Sequence, residues 1–243
     1  MNTLRWLSAD DSSEVFPCPN KALTDPNGLL AAGGDLSSKR LLSAYSQGIF
    51  PWYEKDQPIL WWSPEPRAVL WPKEIRISRT LNRKIQREVF FVSADRAFSS
   101  VLQGCAKERR NGNRTWITKE MKHAYQNLHD LGWAHSFEVW QDEVLVGGLY
   151  GIGIGQVFFG ESMFSQKSDA SKVALVKANE YLQYCGYKLI DCQIWSTHLG
   201  TLGAKLMPRQ KFLDILAQLC KPPGNPGPWT KGFDIFTKEL KKT

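Results

Sequence analysis

The chain has 243 residues, 42% hydrophobic and 23% charged, with a net charge of +7 and a pI near 9.1. That length allows one large domain or two small ones, and folding should bury roughly 70–75% of the unfolded surface. Five cysteines at 18, 105, 185, 192 and 220 form no C-x-x-C, and four histidines form no H-E-x-x-H, so neither a disulfide framework nor a metal site is expected. No apolar run reaches membrane-spanning length. The N-terminus has no long apolar core, so the expected location is the cytoplasm.

The basic balance fits a polyanionic partner or a scattered solubilising charge. Ten tryptophans stand out. Trp52, Trp61, Trp62, Trp116 and Trp229 lie in polar or Pro-rich surroundings rather than in periodic core patterns. Flat aromatic surfaces there suit stacking on bases or substrate side chains.

Residues 1–66 are rich in Pro and Gly and predict a small first domain with one helix, Ser37 to Tyr45, and otherwise ordered loop. With little core of its own, it should pack on the second domain, 67–243. There "AVLWP" reads as a strand, "SRTLNRKIQRE" as a helix capped by Ser78, and "VFFVS" as a strand. Asp95 is expected to cap the next helix, which carries Phe98, Val101, Leu102 and Cys105 on one face. A helix bearing Met121, Tyr125 and Leu128 stops at Gly132, and two strands follow, joined at Asp142. A strand "QVFFGES", a helix from about Asp169 to Cys185, a strand "YKLIDCQIW" and a last helical stretch from Leu199 to Leu219, broken at Pro208, complete the order. The pattern β-α-α-β-β-β-α-β-α predicts an α/β (α+β) layer fold with a mixed central sheet.

Gly151, Gly153 and Gly155 imitate a phosphate cradle. A dinucleotide fingerprint or P-loop needs a strand, glycines and then a helix. Here another strand follows, so the glycines predict a hairpin turn. "GESMF" lacks the second glycine of a nucleophile elbow after Ser162.

In "KLIDCQIW", strand alternation puts Asp191 and Gln193 on one face, with Ile190, Cys192 and Ile194 on the other. A carboxylate in an apolar strand must be paired. Asp191 is either a buried cap for a neighbouring loop or part of a polar site with Gln193 and with Glu161 at the end of its own strand.

Arg79, Arg83 and Arg87 recur every fourth residue, with Lys84 widening the stripe and Arg76 just upstream. Leu81 and Ile85 lie about 200° around the helix, so the apolar side faces the core and the basic side faces out. Glu88 is the one helical counter-charge in view, which favours a polyphosphate partner over a solvated face. An acetyl-CoA-dependent acetyltransferase has the same order of elements, but "SQKSDASKVAL" lacks the glycine turn that would bind pyrophosphate.

The motifs "GLLAAGGDLS", "GIFPWY", "PILWWSPEPRAVL", "TWIT", "AHSFEVW", "VGGLYG", "FFGESMFS", "ASKVAL" and "DCQ…HL…LGA" resemble the leucyl/phenylalanyl-tRNA–protein transferase family from about Phe16 to Phe212. The resemblance implies a small N-terminal domain and a GNAT-like catalytic domain. It implies transfer of Leu or Phe, less often Met, from aminoacyl-tRNA to the N-terminal amine of proteins that begin with Arg or Lys, marking them for N-end rule degradation. No metal, CoA or other cofactor is expected, no membrane partner, and a monomer. By the family pattern Gln193 meets the amine and Asp191 orients it; on physical grounds Asp191 and Glu161 are expected to provide the negative potential that attracts the basic residue. Met163, Leu149, Leu175 and Ile190 are candidates to line the slot for the transferred side chain. Trp52 and Trp116 would stack near the 3′ adenosine, and Arg79, Arg83, Lys84 and Arg87 would grip the acceptor stem. Two alternatives stand beside it: an acetyl-CoA-dependent N-acetyltransferase, against which the missing turn argues, and a non-enzymatic RNA-binding module, which leaves the Asp191, Gln193 and Glu161 cluster unexplained.

Overall fold

A computed structural model describes residues 4–10, 15–107, 117–221 and 226–242. Its first part is more regular than the Pro- and Gly-rich sequence predicts. Strands β1 (Arg5–Leu7), β2 (Leu29–Gly33), β3 (Phe50–Pro51) and β4 (Leu60–Trp62) form a small sheet in the order β1-β2-β4-β3. These strands are two to five residues long, too short for alternation to show. Helix α1 (Ser38–Ser46) is the expected one: the Ser37 hydroxyl accepts from the Arg40 N–H, and Leu41, Ala44 and Tyr45 are buried.

The second part is built on a seven-stranded mixed sheet. Its elements are β5 (Arg67–Leu70), α2 (Arg79–Gln86), β6 (Phe91–Ala94), α3 (Phe98–Ala106), α4 (Lys119–Asp130), β7 (Ala134–Gln141), β8 (Val144–Ile154), β9 (Val157–Ser165), α5 (Ala170–Tyr184), β10 (Leu189–Gln193), α6 (Thr197–Thr201), β11 (Lys205–Met207), α7 (Arg209–Leu219) and α8 (Thr230–Leu240). The strand order is β11-β5-β10-β9-β8-β7-β6. Pairing is antiparallel except between β9 and β10, which α5 connects as a parallel crossover.

Three expectations need correction. Gly151 and Gly153 lie inside β8, and of the three glycines only Gly155 makes the turn, at φ +56°. A Cβ on Gly151 would stand 2.3 Å from the Phe159 carbonyl oxygen, so close strand approach explains that glycine. Asp95 does not cap α3. It accepts instead from the backbone N–H groups of Ser136 and Trp229 and pairs with His135 Nδ1 at 2.9 Å, tying the start of α8 to β7. The stretch after Leu199 is not one broken helix, because β11 separates α6 from α7 and pairs with β5.

Two apolar clusters cover the sheet. One, around α5 and α8, holds Leu149, Phe158, Val173 and Phe233. The other holds Leu41, Tyr45, Phe50 and Trp61 of the first part together with Tyr125, Tyr150, Phe159 and Phe212 of the second. Both sheets therefore share a core.

Candidate active site

The site lies where two parallel strands part. Strands β9 and β10 pair through Val157 with Leu189, Phe158 with Ile190 and Phe159 with Asp191, and no further. Each then carries an irregularity. In β9 the register with β8 passes from Gly160 opposite Gly151 to Ser162 opposite Tyr150, which leaves Glu161 as the extra residue of a bulge. In β10 the register with β5 shifts between Asp191 and Gln193. Gln193 takes the left-handed region at φ +61°, a conformation that costs a non-glycine residue about 1–3 kcal/mol. Simple alternation is thus broken at the residue where it matters. The bulge turns Gln193 toward Glu161, and Gln193 Nε2 donates to Glu161 Oε1 at 2.7 Å.

What holds Gln193 there is Asp191. Its Oδ1 accepts from the Gln193 backbone N–H at 2.9 Å. Asp191 is fully buried, and its charge is met by Arg67 at the head of β5. Arg67 Nε donates to Oδ1 at 2.8 Å and Nη2 to Oδ2 at 2.6 Å, a two-pronged pair that suits a planar guanidinium. The guanidinium carbon lies 4.8 Å from the Phe50 ring centre and 4.7 Å from that of Phe212. Two aromatic faces from different parts of the chain thus flank the cation.

Glu161 is the other pole. Tyr125 in α4 donates to its Oε2 at 2.5 Å, and the Tyr45 hydroxyl from α1 lies 2.6 Å from that of Tyr125. Burial pushes the Glu161 carboxyl up to about 7, with a contribution from the Asp191 charge, against the hydrogen bonds from Tyr125, Tyr45 and Gln193. The hydroxyl protons of Tyr45, Tyr125 and Tyr150 are held more tightly than usual, chiefly by burial and then by the Glu161 charge. Near neutral pH, Glu161 is poised between its charged and neutral forms, while its neighbours stay protonated.

In its charged form Glu161 accepts hydrogen bonds and does not donate them, and the Gln193 amide then turns its NH2 toward it. Its carbonyl oxygen then points away, and among the described residues nothing donates to it. The arrangement therefore offers a fixed acceptor beside a carboxyl group where β9 and β10 part, Glu161 standing mid-strand rather than at the strand end the sequence suggests, and this suits an incoming amine.

The slot candidates Leu149, Leu175 and Ile190 are buried in the α5 cluster, and Met163 packs on it from a partly buried position. Leu149 and Met163 are direct partners across β8 and β9. Trp52 is exposed two residues after Phe50, and its ring stands 5.5 Å from that of Trp62. Trp116 lies outside the described residues. Arg79, Arg83 and Arg87 are exposed on α2, whose Leu81 is buried. Lys84 is engaged: its Nζ meets Asp169 at 2.5 Å, beside Lys172 at 3.2 Å. Asp169, at the start of α5, is thus a counter-charge to the basic helix that sequence distance concealed, while Glu88 pairs with Lys241 instead. Sequence reasoning also missed Arg67, Tyr45 and Tyr125 as members of the site. The one usable signal was the need of a buried Asp191 for a cation.

Comparison with known proteins supplies the class. Residues 69–217 match the family model described as Leucyl/phenylalanyl-tRNA protein transferase, and residues 34–65 match that of its N-terminal domain. A protein named leucyl/phenylalanyl-tRNA–protein transferase from Aromatoleum aromaticum is 55% identical over 93% of this chain and 94% of its own length. Relatives of the same name from Shewanella piezotolerans and Methylococcus capsulatus are each 49% identical, over 94% and 93% of this chain and 96% of their own length. Among solved structures, L-PGS from Bacillus licheniformis aligns at a TM-score of 0.40 and 13% identity, over 56% of this chain and 49% of its own. A GCN5-related N-acetyltransferase from Kribbella flavida aligns at 0.34 and 10% identity, over 68% of this chain and 59% of its own. Likeness that distant carries no argument about the site. The sequence relatives define an aminoacyltransferase enzyme, and in this chain it is built on a mixed α/β sheet. The chain belongs to the leucyl/phenylalanyl-tRNA protein transferase family.

Proposed function

We propose that this enzyme moves leucine or phenylalanine, less often methionine, from aminoacyl-tRNA to the N-terminal amine of proteins that begin with Arg or Lys. The product would enter N-end rule degradation in the cytoplasm. The observation that carries the reading is the Gln193 amide, whose Nε2 is held by Glu161 at 2.7 Å, which leaves its carbonyl oxygen to accept.

The reaction is aminolysis of an ester that is already activated. The amine nitrogen attacks the ester carbonyl, the bond to the ribose oxygen breaks, and the amine proton ends on that oxygen. No cofactor is required by this balance. Holding the two partners in reacting geometry can supply roughly 7–11 kcal/mol of the barrier. Gln193 is far too weak a base to keep the proton, so its role is to accept a hydrogen bond from the neutral amine and aim its lone pair. Asp191 acts at one remove as a positioning residue, because Arg67 and the Gln193 N–H occupy it. Glu161, which titrates near neutrality, is the group that a cationic N-terminal side chain would draw into its charged form. Met163, Leu149, Leu175 and Ile190 would line the slot for the transferred side chain, Trp52 and Trp116 would flank the 3′ adenosine, and Arg79, Arg83, Lys84 and Arg87 would face the acceptor stem.

Labelled Leu-tRNA incubated with an Arg-starting peptide should place label on the peptide, and a matched Ala-starting peptide should receive far less. Stable RNA binding without transfer would replace this reading with that of a binding module.

A further inference from the structure

At Gln193 the chain reverses tightly. The Ile194 N–H donates to the Cys192 carbonyl at 2.7 Å, closing a three-residue turn centred on Gln193 at φ +61°. Ser196 then caps α6, its hydroxyl accepting from the Leu199 N–H. Between these two fixed points Ile194 and Trp195 stay exposed, at 44% and 43% of their surface. The indole is not loose. A Cβ on Gly200 would lie 2.6 Å from its Cζ2 and Cη2 atoms, so one edge of the ring packs on α6. Two adjacent large apolar side chains, held in place and left uncovered beside a polar site, mark a binding surface.

Chain geometry selects the occupant. In the function proposed above, Gln193 receives the amine of the acceptor protein. An extended peptide advances roughly 3.3–3.6 Å per residue, so the acceptor's second residue begins about that far from the held amine. Trp195 is two residues from Gln193, which keeps its Cα within about 7 Å of that of Gln193. Composition selects the chemistry. From Ile194 to Ala204 the sequence has no Lys, Arg, Asp or Glu. His198 is the one residue there that can take up a charge, and its protonation is disfavoured, first by partial burial. A wall without cations gives a phosphodiester little to hold. It suits an uncharged apolar side chain, while the cationic first residue of the acceptor is drawn to Glu161.

We propose that Ile194 and Trp195 form a subsite for the side chain of the acceptor protein's second residue and favour a large apolar one. The proposal rests on the function read above and adds a specificity determinant to it. Its test uses the full chain, Leu-tRNA and two peptides that differ at one position, one starting Arg-Leu and the other Arg-Ala. In the wild type kcat/KM should favour the Arg-Leu peptide by about 3- to 12-fold, from half the worth of fully burying a leucine side chain. Trp195→Ala should bring that ratio close to 1, and Trp195→Phe should keep most of it. Ile194→Ser, which leaves the ring on Gly200, should lower it in part. Equal rates with the two peptides in the wild type, or a ratio that Trp195→Ala leaves unchanged, would overturn the proposal. So would a rise confined to the KM for Leu-tRNA, which would give the ring to the RNA. Calorimetric titration of the same peptides without tRNA reads the preference as a ratio of Kd values. A fall of that ratio in Trp195→Ala supports the subsite even where no peptide is labelled, and an unchanged one overturns it. Absence of label on both peptides counts against the assigned reaction alone.

Discussion

Replacing Glu161 by Gln should make the protein more stable and less active. The Glu161 carboxyl is raised from 4.5 to about 7. Between those values the folded chain keeps a proton that the unfolded chain has released, so stability falls as pH climbs through that window. Above it the partly buried charge is worth up to about 3 kcal/mol of lost stability, at 1.36 kcal/mol for each tenfold change. The amide removes the charge and exchanges a charge-assisted hydrogen bond for a neutral one, a loss of about 1 kcal/mol. The remainder, about 2 kcal/mol at pH 8, raises the melting temperature by about 4–8 °C for a chain of this size. At pH 5, where the wild-type carboxyl is already protonated, the gain should shrink. Activity moves the other way. The new side chain can accept from Tyr125 only through its oxygen, which sets its NH2 against that of Gln193. Gln193 must then flip and present a donor to the substrate amine. One mismatched hydrogen bond of about 1–3 kcal/mol lowers kcat/KM about 5- to 150-fold. Thermal denaturation at pH 5 and 8, run beside Leu-tRNA transfer to an Arg-starting peptide, reads both effects. A variant that melts below the wild type at pH 8, or transfers at its rate, refutes the reasoning.

Arg67→Met strands the buried Asp191 charge and should reduce stability by about 3–5 kcal/mol, read from the urea midpoint. Adding Asp191→Leu should recover most of that but abolish transfer, because the Gln193 N–H then loses its acceptor; a stable single variant would reject this account. Replacing Arg79, Arg83 and Arg87 by Ala should flatten the dependence of log K for tRNA on log salt by about 2–3, and an unaltered slope would remove α2 from the interface. Asp169→Asn tolerates the left-handed backbone at φ +70° and frees Lys84 and Lys172, so tRNA binding should tighten; weaker binding would contradict the inferred course of the RNA.

Local chemistry made much of the frame readable. Ser78 caps the helix its position predicts, Ser37 opens the other as its cap, and the apolar residues of α4 lie where the 3.6-residue period puts them. The site was legible as residue types and only partly as geometry. Alternation placed Asp191 and Gln193 together, but the shift past Cys192 is a tertiary compromise that a period of two cannot express. Arg67 hid at the head of an apolar strand, 124 residues from its partner. Tyr45 and Tyr125 read as ordinary helix core, because the hydroxyl that gives each its role has no signature in spacing. Asp169 reaches Lys84 across 85 residues, beyond any window in which charge patterning is informative.

The core shared by the two sheets has a consequence for how competence arises. Phe50, from the first sheet, and Phe212, from α7, close on Arg67 from opposite ends of the sequence, and the tyrosine pair begins in α1. A ribosome making this chain would have produced the basic helix, Glu161 and Gln193 before the last wall around Arg67 emerged. Reactivity should thus switch on late and all at once, and fragments divided between the sheets should recover it only when mixed.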